Sequence, residues 1–495
     1  MAKPLPGIEH VVVLMLENRS FDNVLGGLHP QLTKQGLYRG LLGTETNPLD
    51  PRKSGGSSVP VFQGSAAQST WIMPYPDPGE FYSDMVQQIF GSYSVPSGPS
   101  SCSPAMSGFA WNYSVQPWSI SGPGWPSVPP VPANIMQYYS QQTMPVTYFL
   151  ASKFAACDSW FAAAPVQTIA NRVLTHCGTP SKVLGGANLS RVNNEPDYVE
   201  DLEIKWVSDP TIFALLDTKY ASPPGGPLNW TVYYGDAPIS LICTYVYNHN
   251  DGYHVTPYIG DFAYDVKNNK LAKYAFIEPT YSNKFFGTAN SNHPGGATLA
   301  GDPNGESGPP PIDVRDGERL LCDVYSALLA NPDLFKKTLL IVTYDEHGGL
   351  FDHLGPPCAT SPFNPPVQNF NYDRYGVRVP TLLINPYITP GTVYPPRQPY
   401  VPVSKPYFDH TSILRTLIKQ FELGDNFLSK RVESAAEITG IISATYTQPQ
   451  PCPAVPAAAP SPPAVKVSAR PAHSLAGVLH PLYRIMEQSK RGPRS

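Results

Sequence analysis

Two short polar runs, far apart in the chain, carry side chains suited to one task. Glu17 and Asn18 stand together near the amino terminus, and Asp345, Glu346 and His347 stand together late in the chain, followed by Gly348, Gly349, Asp352 and His353. Carboxylates gathered in one place repel, and leaving them unpaired and half buried costs on the order of several kcal/mol each. A cluster built from Glu17, Asp345 and Glu346, with the Asn18 amide oxygen beside it, therefore asks for a bound cation. A third element, Thr168, adds a hydroxyl just before the helical run Ile169 to Cys177. A hydroxyl there faces unpaired backbone N–H groups and the positive end of the helix dipole. It can act as an N-cap, the commonest role at such a spot, or as a nucleophile whose attacked phosphate rests on the same groups. Spacing alone leaves both open, with the cap as the default.

The elements that must position these residues are legible as apolar runs. Val11 to Leu16 is continuous and ends abruptly at Glu17, and Thr338 to Tyr344 (TLLIVTY) ends in the same way at Asp345. Unbroken, β-branched runs of this length read as strands buried on both faces in a parallel α/β sheet. Ligands of such sheets sit beyond the carboxyl ends of the strands, where both acid pairs are released. Gly348 and Gly349 permit a tight turn there, since glycine accepts φ > 0. Further elements are expected at Phe81 to Phe90, at Asn134 to Tyr139 (helical), at Pro145 to Phe154, at Gly317 to Leu329 (helix), at Arg378 to Asn385 (strand) and at Ser412 to Phe421 (helix).

The chain has 495 residues, ample for one large α/β domain with insertions or for several smaller ones. Charged residues are 15%, below the usual quarter or so, while Pro (58), Gly (39) and Tyr (29) abound, so the chain is loop-rich. With a formal net charge of −4 and no basic block in the core, a nucleic-acid partner held by phosphate contacts is not expected. No apolar run approaches the length of a bilayer span, so a soluble protein is expected. Seven cysteines lack paired metal-ligand spacing, and the odd count fits either a reduced protein or some disulfides with a spare thiol. From Leu28 to Pro132 the chain is rich in Gly, Pro and Ser; a structureless loop so long is improbable, so this stretch must pack on the core. Its aromatic segments Pro74 to Glu80 and Met106 to Tyr113 are candidates for a cleft mouth.

Taken in order, LENRSFD (16–22), T-x-A-N-R (168–172), N-H-P (292–294) with D-V-R-D-G-E (313–318), Y-D-E-H-G-G-x-x-D-H (344–353) and F-D-H-T-S-I-L (408–414) resemble the bacterial phosphoesterase family that includes phosphocholine-preferring phospholipases C and related acid phosphatases. The likeness covers roughly Gly7 to Leu423. It implies an α/β fold like that of alkaline phosphatases and sulfatases, a central mixed sheet flanked by helices with long loop insertions. It implies that Glu17, Asn18, Asp345 and Glu346 bind one metal ion together with Thr168, which forms a phosphothreonine intermediate. A cation that holds the threonine as alkoxide replaces a separate base. All five ligands are oxygen donors, which favours a hard or borderline divalent ion, among Ca, Mg, Mn, Fe and Zn. By the same resemblance His293 and His353 contact the phosphate and protonate the departing alcohol. Asn171 and Arg172 reach the phosphate or fix the loop, and His347, Asp352, Asp409 and His410 give support behind the ligands. The expected substrate is a phospholipid or a small phosphate ester. A silent binding or toxin protein on the same fold is the non-enzymatic alternative, and a sulfatase-like esterase is disfavoured because the slot for a modifiable Cys or Ser holds Thr168.

Three features depart from the family pattern: Ala170 replaces a proline, Glu80 stands where secreted relatives carry a histidine, and GGATLAGDPNGESGPPPI (295–312) is inserted beside the presumed crevice. The expected division is a catalytic domain over 1–444, a Pro/Ala-rich linker over 445–471, and a segment over 472–495. In that last segment Leu475, Val478, Leu479, Leu482 and Met486 share one helical face broken by Pro481, followed by a basic tail. That segment is expected to dock on its own domain or on a second copy as a homodimer, with peripheral membrane contact as the alternative. No leader precedes the first strand, which points to the cytoplasm, whereas sparse charge and the family point outside the cell.

Overall fold

The computed structural model describes residues 3–457 apart from 76, 98–101, 117–119, 123–124, 129, 181–198, 201–202, 205, 222–225, 282–288, 295–311, 364–369 and 397–405, and beyond 457 it describes 466–467 and 482. The insertion at 295–311 thus lies outside the described residues. So does the amphipathic segment 474–488 except Leu482, which is buried against the main core.

Eight strands form one sheet: β1 (His10–Leu16), β2 (Ala155–Cys157), β3 (Trp230–Tyr234), β4 (Val255–Pro257), β5 (Tyr274–Glu278), β6 (Thr338–Tyr344), β7 (Thr381–Ile384) and β8 (Thr392–Tyr394). Their order is β4-β3-β5-β1-β6-β7-β2-β8. β7 runs against both its neighbours and every other pairing is parallel, which gives the mixed α/β sheet expected. β1 and β6 lie side by side at the centre, and every residue of both except His10 is buried. Their continuous Val, Leu and Ile runs fit because a central parallel strand has no solvent face. The register pairs Leu16 with Tyr344, so the two strands end level and release Glu17-Asn18 and Asp345-Glu346 side by side.

The helices that bear on the site are α1 (Phe21–Leu25), α2 (Tyr82–Phe90), α3 (Phe109–Ser114), α4 (Pro145–Lys153), α5 (Thr168–Cys177), α6 (Val314–Leu329) and α7 (His410–Gln420). The stretch after β1 is not loose. Leu41, Val61, Met85, Ile89, Met106, Phe109, Ile135 and Met136 build a second small core that also takes in Leu350 and Phe351 from the loop after β6. A disulfide between Cys102 and Cys358 ties this layer to the same side of the molecule.

Several boundaries differ from the sequence reading for local reasons. The helix expected at 134–139 is one 3₁₀ turn (Pro132–Met136) followed by a two-residue strand, Gln137–Tyr138, that pairs with Phe62 and Gln63. β7 starts three residues later than expected because Pro380 cannot donate to a ladder and Arg378 is used elsewhere. α6 begins at Val314, earlier than Gly317, since the Asp313 carboxylate accepts from the Arg315 N–H and caps it. α7 begins at His410, capped by Asp409 and Ser412 in reciprocal hydrogen bonds. Past the core, the Pro-rich stretch is extended, yet its residues Gln450, Pro456 and Ala457 accept hydrogen bonds from Tyr325, Arg319 and Arg315 of α6. No helix of the described residues is long and apolar enough to cross a membrane.

Candidate active site

The start of α5 bears on the cap role of Thr168. Gln167, extended at φ −71° and ψ 176°, occupies the N-cap position without a side-chain cap bond, and Thr168 is the first helical residue. The hydroxyl is therefore not spent on a cap; Thr168 Oγ1 donates to Asn18 Oδ1 at 3.4 Å. Asn171, one turn on, accepts from the Ala164 N–H and donates to the Val166 carbonyl at 2.7 Å. It fixes the loop leading into the helix, one of the two jobs open to it.

Asn18 sits at φ 56°, a left-handed conformation that asparagine tolerates better than most residues. This turns its backbone N–H to Asp345 Oδ1 at 3.1 Å and its side-chain amide between two elements. Oδ1 faces Thr168, while Nδ2 donates to Glu80 Oε1 at 2.7 Å and to His293 Nε2 at 3.0 Å. His293 Nδ1 lies 2.6 Å from the Pro294 carbonyl, which can only accept, so the ring carries its proton on Nδ1 and presents the Nε2 lone pair to the site. Glu80 Oε1 stands 3.6 Å from that Nε2 and Asp77 Oδ1 3.9 Å from Nδ1.

The acids after β6 diverge. Asp345 Oδ2 accepts from Arg172 Nε at 3.1 Å. Glu346 Oε2 accepts from the Gly348 N–H at 2.8 Å and lies 3.2 Å from His347 Nδ1, whose other nitrogen meets Gln88. Gly348 (φ 61°) permits the turn: a Cβ there would stand 2.2 Å from the Asn18 carbonyl oxygen. His410 Nε2 reaches the Asp345 carbonyl at 2.7 Å.

Arg172 is fully buried and turned toward the acids, 3.6 Å from Glu17 and 3.7 Å from Glu278 as well as bonded to Asp345. Burial opposes its charge, but Tyr281 and these acids outweigh burial and raise its pKa. Burial pushes the Glu17 carboxyl well above the usual range, Asp345 pushes the same way, and Arg172 opposes. Glu346 is raised too, by burial first, against the pull of His347. Both Glu17 oxygens and Glu346 Oε1 are buried without a hydrogen-bond partner among the described residues. One guanidinium shared among Glu17, Asp345 and Glu278 leaves the cluster short of positive charge. Glu17, Asp345 and Glu346 do not bring three ligand atoms within 4.8 Å of one another, but their orphaned oxygens, the Asn18 amide oxygen and the Thr168 hydroxyl are oxygen donors of the type a divalent cation takes.

His353 belongs to a second cluster. Its Nδ1 lies 2.7 Å from Asp22 Oδ2, and Arg378 bridges Asp22 and Asp352 at 3.0 and 2.9 Å. Asp409 pairs with Arg431 at 3.2 Å and caps α7. Among the described residues, two His and carboxylate groups have donor atoms within 4.8 Å of one another, Asp22-Asp352-His353 and Asp77-Glu80-His293. Arg378 fills the first; the second borders Asn18.

Sequence reasoning passed over Glu278, Asp77 and the contact made by Glu80. Glu278 carried a usable signal, because YAFIE (274–278) is a third apolar run ending in an acid, and β5 lies next to β1. Asp77 and Glu80 lie in an irregular loop with no periodicity to read.

An acid cluster at the carboxyl ends of a mixed α/β sheet, faced by an uncapped threonine hydroxyl and a histidine lone pair, has the parts needed to hydrolyse phosphoester bonds, and comparison with known proteins gives the same class. The chain belongs to the Phosphoesterase family, whose model matches residues 8–424. It is 31% identical over 454 residues to non-specific phospholipase C3 of Arabidopsis thaliana, covering 88% of this chain and 74% of that protein. It is 31% identical over 472 residues to non-specific phospholipase C1 of the same plant, covering 94% and 75%. Phospholipase C A of Mycobacterium tuberculosis is 28% identical over 465 residues, covering 85% of this chain and 75% of that one. Among solved structures, a protein in the alkaline phosphatase superfamily from Vibrio parahaemolyticus matches with a TM-score of 0.30 at 11% identity, covering 56% of this chain and 60% of that one. The protein is a hydrolase acting on phosphoester bonds.

Proposed function

We propose that this hydrolase cleaves phospholipid diesters in the manner of a phospholipase C, through a phosphothreonine formed on Thr168 and with one divalent cation as cofactor. The observation that carries the reading is the Thr168 hydroxyl, not spent on a cap and aimed at Asn18 Oδ1, in a site whose Glu17 and Glu346 have buried carboxylate oxygens without a hydrogen-bond partner among the described residues. Glu17, Asn18, Thr168, Asp345 and Glu346 would hold the cation. When bound, it supplies Lewis acidity, easing loss of the threonine proton and offsetting phosphate charge.

The chain's own residues supply the rest. Thr168 Oγ1 gives up its proton to solvent and attacks phosphorus, and the positive end of α5 favours the negative charge gathering there. His293, whose Nε2 faces Asn18, delivers a proton to the departing diacylglycerol oxygen after taking one from solvent. Water then attacks the phosphothreonine, breaks the Oγ1–P bond and restores the hydroxyl. Arg172 keeps the acid cluster from repelling itself apart, and Asn171 holds the helix start in register. His353, committed to Asp22, positions the loop that carries Asp352. Support for a lipid substrate comes from the relatives, named as phospholipases C.

The test is turnover of phosphatidylcholine and of a chromogenic phosphomonoester by purified protein, with and without chelator, together with acid quenching to trap phosphate on the Thr168 peptide. Release of phosphocholine that chelator abolishes, and a labelled Thr168 peptide absent from Thr168→Val, are expected. Turnover of the monoester alone would make this an acid phosphatase. No turnover of either, whatever metal is added, would favour the binding role.

A further inference from the structure

Cysteines outside the site stand in two close pairs besides the Cys102–Cys358 disulfide. Cys177 and Cys243 face each other with Sγ atoms 3.9 Å apart, and both are fully buried. Cys322, on α6, and Cys452, on the extended stretch beyond the core, are only partly buried. Cys452 Sγ donates toward the Cys322 carbonyl oxygen at 4.0 Å, which sets the two residues side by side. That alignment is held from both sides. Tyr325 Oη donates to the Gln450 carbonyl at 2.8 Å, Arg319 Nη2 to Pro456 at 3.1 Å and Arg315 Nη1 to Ala457 at 2.5 Å, so Cys452 is presented to Cys322 in a fixed register.

We propose that Cys322 and Cys452 form a redox-active dithiol site whose reactant is a small-molecule disulfide of the glutathione class, and that oxidation fastens the stretch 450–457 covalently to α6. In the first step the Cys322 thiolate attacks one sulfur of the small disulfide, whose S–S bond breaks and releases one reduced thiol. In the second, Cys452 gives its proton to solvent, attacks the Cys322 sulfur and expels the second thiol. One disulfide is reduced to two thiols while two protein thiols are oxidised.

The order of attack follows from the surroundings. The neighbouring Cys452 draws the Cys322 thiol down to about 7 against the effect of burial, and Ser326 Oγ, 3.8 Å from the sulfur, helps. A thiol so poised near neutral pH is the attacking partner, and Cys452, raised by its neighbour Cys322, is the resolving one. Cys177 and Cys243 are equally close to one another, but buried sulfurs admit no reactant, so proximity without access leaves them reduced.

The full chain, equilibrated in buffers of graded reduced and oxidised glutathione, is labelled natively with a maleimide and its peptides are mapped without reduction. Expected are native labelling of Cys322 and Cys452 in the reduced protein, on the order of tenfold faster at Cys322 than at an ordinary exposed thiol at pH 7, and a Cys322–Cys452 linked peptide, lighter by two hydrogens, in the oxidised one. Cys157, Cys177 and Cys243 should label only after unfolding. Cys452→Ser, which leaves phosphoester turnover unchanged, should accumulate a stable glutathione adduct at Cys322. Persistence of both thiols in excess oxidised glutathione, an adduct at Cys322 that wild-type protein never resolves, or a native Cys177–Cys243 link would each overturn the proposal.

Discussion

A guanidinium 3.1 Å from Asp345 and 3.6 Å from Glu17, with its whole side chain buried, cannot be removed without leaving acids uncompensated. Arg172→Gln is expected to destabilise the fold by about 3 to 5 kcal/mol, measured by denaturant unfolding, and added divalent cation should restore part of that loss. Restoration by monovalent salt alone would argue against a shared acid cluster. The second cluster makes a pH prediction. Burial disfavours charge on both His353 and Asp22, but their contact at 2.7 Å wins: His353 is raised from 6.5 despite the nearby Arg378, and Asp22, which Arg378 also favours as the anion, is lowered from 3.8. A raised histidine contributes fully below its unfolded value and fades as pH climbs through its folded one. A lowered carboxylate contributes above its unfolded value and fades as pH falls through its folded one. The pair's contribution is therefore greatest between those two unfolded values, and His353→Gln should flatten the fall in Tm on going from pH 6 to pH 8. What the sequence disclosed at this scale was residue identity: the strand-end acids are readable from type and spacing, whereas Thr168 as a nucleophile and His293 came only with the family resemblance. It did not disclose that Asn171 turns back to the loop before α5 and Arg172 to the strand-end acids, because side-chain direction is set by partners such as Ala164 and Asp345 that lie in other elements.

Among elements, the close approach of two strand ends does the positioning, and it depends on backbone. Gly348 has φ 61° and no room for a Cβ, which would stand 2.2 Å from the Asn18 carbonyl oxygen. Gly440 has φ 66° with nothing within 4 Å. Gly440→Ala should cost about 1 kcal/mol from the left-handed conformation. Gly348→Ala pays that strain and also pushes the loop after β6 off Asn18, so it should lose more stability and at least about tenfold in kcat, misplacement of reacting groups being expensive. Equal effects in both variants, by unfolding and by turnover of a chromogenic ester, would show that the contact does not matter. β1 and β6 were legible because an unbroken Val, Leu and Ile run has one natural home, the middle of a parallel sheet. The turn at Pro132–Met136 was not: its apolar spacing imitates a helix, and only pairing of Gln137 and Tyr138 with Phe62 and Gln63 across a long loop makes the chain straighten.

Over the whole molecule, the site joins residues from both ends of the chain, because β1 comes first, β6 late and α5 between them, and their tips meet only when the central sheet is complete. A ligand held by Glu17, Asn18, Thr168, Asp345 and Glu346 therefore binds the folded chain and not the unfolded one, where those residues are dispersed. Such binding stabilises by RT ln(1 + [L]/Kd), about 2.7 kcal/mol at a hundredfold excess over Kd. The charge balance points the same way, since both Glu17 oxygens and Glu346 Oε1 are buried without a hydrogen-bond partner among the described residues. Thus chelator should lower Tm as well as abolish turnover, and the two losses should return together as one divalent ion is titrated back. Glu17→Gln keeps the side-chain volume and removes a charge, so it should weaken metal affinity and make Tm nearly insensitive to chelator, while raising the stability of the metal-free protein by removing a carboxyl that burial first, and Asp345 second, hold so high. Calorimetric unfolding of both proteins, with and without chelator, checks all three outcomes; a metal-free Glu17→Gln variant less stable than metal-free wild type would mean that the acids are satisfied without an ion.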